Sequence, residues 1–260
     1  MKPSAKIHSS AKIAFEAMLE AGAKWFDWIS DSIGFQAMVK DKLRWEDMSS
    51  GEVASVQRRL TSSTPEMQVM INSFYITMIA GFEEYLRGVI REVAYAVTQS
   101  TSEFEKINAK LRRLNVRESA RLLNRIDSPP DYLKLDEVEL CRQLGSWIPG
   151  SKSCTLNGDA LAEIGALLKL ENFIDRMDLL GRKVDADYLG SQQSIKDALH
   201  MPKAKPREAG KELLEVLETI SKYRNRIAHT GGHAADVTQE IAKDHRALLN
   251  ALANAIDSAI

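Results

Sequence analysis

The residues best suited to chemistry crowd into one stretch near the C-terminal end, Ser221-Lys222-Tyr223-Arg224-Asn225-Arg226-Ile227-Ala228-His229-Thr230-Gly231-Gly232. Two arginines, an asparagine and a histidine fall within six positions. Arginine can fork onto two phosphate oxygens and stabilise negative charge growing on phosphorus. Histidine can take or give a proton near neutral pH, and asparagine can orient either group. Together they suit phosphodiester cleavage. RNA carries its own nucleophile, the 2′-OH, so this chemistry calls for no metal and no protein nucleophile. The simpler readings are that Tyr223 and Ile227 are core residues, Arg226 a surface ion-pair partner and His229 a helix-end residue. His229 and His233, with His245, offer a third alternative as metal ligands. Gly231 and Gly232 interrupt the helix that would align them, and no carboxylate or cysteine lies close by.

The stretch ends a helical run. Leu213, Leu214, Val216, Leu217 and Ile220 recur at helical spacing, which predicts a helix over 208–228. On an ideal helix Asn225 and His229 share a face, whereas Arg224 and His229 stand about 140° apart. The glycines predict helix termination there, with a less regular backbone that would let the arginine swing round.

The preceding chain is built to carry such a helix. Residues 10–43 read as an amphipathic helix with breaks marked by Gly22 and Gly34. Glu52 to Leu60 reads as a short helix. Thr64 as cap, Pro65 in the first position and Glu66 predict a new helix from about 65 to 98. Met67, Met70, Ile71, Phe74, Met78, Phe82, Tyr85, Leu86, Val89, Ile90 and Val93 make that helix central. A further helical region covers 102–126, with a break marked by Asn115. Its Arg113, Arg117, Arg121 and Arg125 recur every fourth residue and form one basic stripe, which Glu118 partly neutralises. Taken alone, such a stripe is a solvated face. Ser128-Pro129-Pro130-Asp131 is a clear break. Short helices are expected at 136–144, 159–168, 173–180 and 192–199, and a last one at 234–260. Trp147 reads as the packing anchor of the loop 145–152. No stretch has the alternation of a strand. The fold class is therefore all-α, a helical bundle over 61–260 with an N-terminal helical extension over 1–60.

Composition sets outer limits. The chain has 260 residues, 44% hydrophobic and 27% charged, with formal net charge -1. That balance suits an ordinary soluble domain and supplies no global field towards nucleic acid or membrane, so polyanion binding must be local. Cys141 and Cys154 form no CxxC pair and read as reduced thiols, which with the lack of a signal sequence points to the cytoplasm. The most apolar window, 69–82, falls short of the roughly 20 apolar residues of a membrane span.

Arg224-Asn225-Arg226-Ile227-Ala228-His229-Thr230-Gly231 resembles the R-x4-H signature of the HEPN superfamily. Phe82-Glu83-Glu84-Tyr85-Leu86-Arg87 and Asn172-Phe173-Ile174-Asp175-Arg176-Met177, followed by Leu179-Leu180-Gly181, are similar to its RiboL-PSP-type branch. The resemblance covers about 61–260. It implies a HEPN-like helical domain with metal-independent endoribonuclease activity, no cofactor and 2′,3′-cyclic phosphate products. It also implies a homodimer with the two motifs facing each other, set in a toxin–antitoxin or anti-phage defence system. Arg224 would bind the scissile phosphate, His229 would be the acid/base or a phosphate ligand, and Asn225 would orient them. If the chain is a ribonuclease, Arg226, Arg117 and Arg121 are expected to contact the RNA substrate; beyond the resemblance, we expect Glu83 or Glu84 to hold Arg224 or His229. An antitoxin or other defence-system protein is a further implied partner. A non-catalytic HEPN-like module that binds RNA, nucleotide or protein is the alternative.

Overall fold

A computed structural model describes residues 10–42, 50–127, 136–165, 167–230 and 237–260. All regular structure among them is helical, as the sequence pattern predicts: α1 (Ser10–Lys42), α2 (Ser50–Ser100), a 3-10 turn (Phe104–Lys106), α3 (Ala109–Leu123), α4 (Glu137–Gly145), α5 (Gly158–Ala162), α6 (Leu170–Leu179), α7 (Ala186–Ser191), α8 (Gln193–Ala198), α9 (Pro206–His229) and α10 (Gln239–Ala259).

The centre of the molecule is α2. From Tyr75 to Val93 its residues Tyr75, Met78, Ile79, Phe82, Tyr85, Leu86, Val89 and Ile90 are at most 1% exposed, so this stretch is enclosed by other elements. Phe15 and Leu19 of α1 join the same core as Leu213, Leu217 and Ile220 of α9 and Leu248, Leu252 and Ile256 of α10. Polar ties fix the register at the edges. The Tyr85 hydroxyl donates to the Ala253 carbonyl at 2.9 Å, and Lys12 pairs with Asp257 at 3.1 Å.

Several boundaries differ from expectation. α1 continues through Gly22, where the absence of a side chain makes room for the Phe74 ring, and through Gly34. α2 is continuous from residue 50 to 100, so the start signal at 61–66 is overridden and the helix crosses residue 60. Pro65, which has no backbone N–H to donate, lies within that continuous run. α3 runs unbroken over Asn115, whose buried side-chain oxygen accepts from the Asn157 backbone amide at 2.8 Å. The helix expected over 159–168 stops at Ala162, because Leu167 and Leu168 reach the core without it. α7 lies where no helix was expected. The break at 128–131 lies outside the described residues.

The helix that ends in the candidate motif starts cleanly. Pro206 occupies the first turn of α9, and the Glu208 carboxylate accepts from the Lys205 backbone amide at 3.2 Å. α9 is then seated on α7 by two glycines. A Cβ on Gly190 would fall 2.1 Å from the Pro206 carbonyl oxygen, and one on Gly210 would fall 2.4 Å from that of Ala186. Only hydrogen fits between these backbones. Gly190→Ala should therefore cost about 1–3 kcal/mol through overpacking. Urea unfolding checks this; an unchanged midpoint would mean that the helices do not approach so closely.

Candidate functional site

The C-terminal turns of α9 gather four of the six site residues picked out in the sequence. Ile227 anchors the end in the core, and Tyr223 packs beside it. Arg224 is part-exposed, while Asn225, Arg226 and His229 are exposed. His229 is the last residue of α9, and the cap residue Thr230 donates its backbone amide to the Arg226 carbonyl at 3.0 Å. The helix is thus regular to its end, contrary to the irregular backbone expected. Arg224 and His229 remain about 140° apart around the axis. Asn225 and His229 sit one above the other. Gly231, Gly232 and His233 lie outside the described residues.

Arg224 points back to α2. Its Nη2 lies 3.5 Å from a carboxylate oxygen of Glu83, whose side chain is only 10% exposed against 40% for the arginine. The contact is long, so it restrains the guanidinium loosely and leaves most of its donors without a partner among the described residues. Glu84 faces elsewhere. It pairs with Arg87 and with Arg91, and Arg91 in turn bonds Asp159 at 2.7 Å.

Behind the helix end lies an aromatic cluster that sequence reading missed. Tyr75 of α2, Tyr223 of α9 and His245 of α10 have ring centroids 5.8 to 6.4 Å apart. The Tyr75 hydroxyl and His245 Nδ1 share a hydrogen bond of 2.8 Å. Burial raises the tyrosine pKa and lowers that of the histidine to about 4, the latter partly opposed by Asp244. His245 is therefore a part-buried, neutral imidazole at neutral pH. No group of three His, Cys, Asp or Glu side chains suited to a metal occurs among the described residues.

Arg117 and Arg121 lie on another helix, α3, which packs on α4 and α5. Both are exposed and both bond the buried Glu118, Arg117 through Nε and Nη2 at 2.9 and 2.8 Å and Arg121 through Nη1 at 2.9 Å. These contacts hold the Glu118 carboxyl below its usual range in spite of burial. Arg125 lies 3.9 Å from Glu163, and Arg113 has no ion pair among the described residues. The α3 stripe therefore keeps a positive excess.

The chain matches no family model, no curated protein and no solved structure. No described helix is long and apolar enough to cross a membrane.

His245 yields a stability prediction. Its folded pKa of about 4 lies below the usual 6.5, so the unfolded chain takes up the proton more readily. The associated stability is complete above pH 6.5 and is lost as pH falls towards 4, by on the order of 3 kcal/mol. His245→Gln, which keeps a hydrogen-bonding group for Tyr75, should flatten that part of the stability–pH curve. An identical slope in both proteins would show that His245 does not carry it.

Proposed function

We propose that this chain is a metal-independent endoribonuclease of HEPN type whose chemistry lies at the end of α9. The observation that carries the reading is the setting of Arg224. A nearly buried carboxylate on the central helix holds this arginine loosely at a helix end that also exposes Asn225, Arg226 and His229. Such an end offers phosphate oxygens a forked cation and offers the reacting hydroxyls a proton carrier.

In the proposed reaction His229 takes the proton of an RNA 2′-OH. The 2′-oxygen forms a bond to the adjacent phosphorus, and Arg224 stabilises the charge on the pentavalent centre. The P–O5′ bond then breaks and the leaving 5′-oxygen takes the proton held by His229, which gives a 2′,3′-cyclic phosphate and a 5′-OH and restores the neutral imidazole. Asn225, stacked over His229, orients the imidazole, and Arg226 holds a neighbouring phosphate.

The 140° offset on a straight helix supports a site shared by two copies, with Arg224 of one chain meeting His229 of the other. A toxin or anti-phage defence role in the cytoplasm, with an antitoxin or other defence-system protein as regulator, accompanies this reading.

Arg224→Ala and His229→Ala should each lower cleavage of single-stranded RNA in EDTA by at least about 100-fold. The far-UV circular dichroism should be unchanged. Variants that cleave like the parent protein would sink the assignment. A shared site adds a second expectation. The two inactive variants, mixed and allowed to exchange subunits, should recover part of the activity, because each mixed dimer regains one intact Arg224–His229 pair. Sites confined to single chains would stay inactive.

A further inference from the structure

The first half of α3 borders a groove of about 440 Å³, within the range of ligand sites, lined by Phe104, Arg112, Arg113, Val116, Arg117 and Trp147. It is not part of the α9 site. Phe104 lies just beyond the C-terminus of α2, about 25 Å along that helix from the turn that carries Glu83.

Its walls are pre-arranged. The Arg112 guanidinium carbon sits 4.1 Å from the centre of the Phe104 ring, and its Nη1 donates to the Phe104 carbonyl at 2.9 Å. Its remaining charge is only partly offset by Glu105, at 3.6 Å. The Trp147 indole is fixed by donation to the Thr155 carbonyl at 3.0 Å and closes the floor beside Phe104. Val116 is 39% exposed and lies between the arginines of the groove. Arg117 is braced by Glu118, and Arg113 is exposed without an ion pair among the described residues.

An apolar patch bordered by three arginines fits a ligand that has a flat ring and a phosphate. An acidic peptide would satisfy the arginines and leave Val116 and the outer face of Arg112 uncovered. Beyond the groove the positive row continues. Arg113, Arg117 and Arg121 follow at a rise of about 6 Å per step, on the scale of successive phosphates in an extended single strand.

We infer that this groove is a single-stranded RNA subsite. One base rests on Val116 and the outer face of Arg112, its phosphate lies on Arg113 and Arg117, and the next phosphates run along α3 towards Arg121. Base stacking of this kind tolerates any sequence, because each base presents a π-face, and the arginine contacts make binding salt-dependent. The subsite would anchor RNA whether or not the α9 end cleaves it.

The test is fluorescence-anisotropy binding of a labelled single-stranded RNA of about 12 nucleotides to the full chain in the His229→Ala background, which separates binding from cleavage. Val116→Glu should weaken binding about tenfold. Arg113→Ala with Arg117→Gln should weaken it comparably and lower the salt slope by about one to two. An abasic strand of the same length should bind the parent protein several-fold more weakly than RNA and should be insensitive to Val116→Glu. RNA affinity within twofold of the parent in both groove variants would overturn the proposal. So would equal binding of abasic and normal strands, which would leave a charge-only surface. Since no arm reads cleavage, failure here leaves the α9 assignment standing, and failure of cleavage leaves this subsite standing.

Discussion

The burial of α2 between Ile71 and Ala94 is the constraint on which the rest of the structure depends. A helix enclosed in this way can keep a polar side chain only where a partner reaches it. Glu83 occupies such a place. A carboxyl group with so little exposure calls for a partner, and Arg224 from the end of α9 approaches it across 3.5 Å. The same arginine thus serves the core through one contact and faces solvent with its other donors. This dual position makes the end of α9 more than a charged surface, and it ties the geometry of the proposed site to the best-packed element of the fold.

The seating of α9 follows from a second close approach. Gly190 and Gly210 allow the backbones of α7 and α9 to touch, and the Pro206 start fixes where the helix begins. From there the apolar row Leu213, Leu217, Ile220 and Ile227 carries the helix along the core to His229. Tyr223 packs against Tyr75 and His245, so the residue before Arg224 is locked from behind. Arg224, Asn225, Arg226 and His229 occupy the last turns of a helix whose buried face is fixed along its length.

Much of this was legible in the sequence because it is periodic. The apolar run from Met67 to Val93 identified the central helix, and the pattern from Leu213 to Ile220 identified α9. Asp136 lies where a cap belongs, and its side chain does accept from the Glu139 amide. Local signals misled where tertiary context outweighed them. Thr64-Pro65-Glu66 has the form of a helix start, but α2 passes through it, and Asn115 looks like a break but is a buried hydrogen-bonding residue. α7 has only six residues, too few to show a period, and its one sign was Asp185, which caps the Tyr188 amide. In the candidate site, Arg224, Asn225 and His229 could be picked out because they are neighbours in sequence. The aromatic cluster and the α3 groove were not, since Tyr75 and His245, like Phe104 and Trp147, are brought together only by the fold.

The chemical identity of the RNA ends produced in the presence of EDTA tests the central claim most directly. Attack by the 2′-OH at the α9 end should leave 2′,3′-cyclic phosphates and 5′-hydroxyls, and one 2′-deoxy substitution at the cleaved position should block the cut there. Ends bearing a 3′-hydroxyl and a 5′-phosphate, or cleavage that appears only when a divalent cation is added, would contradict it.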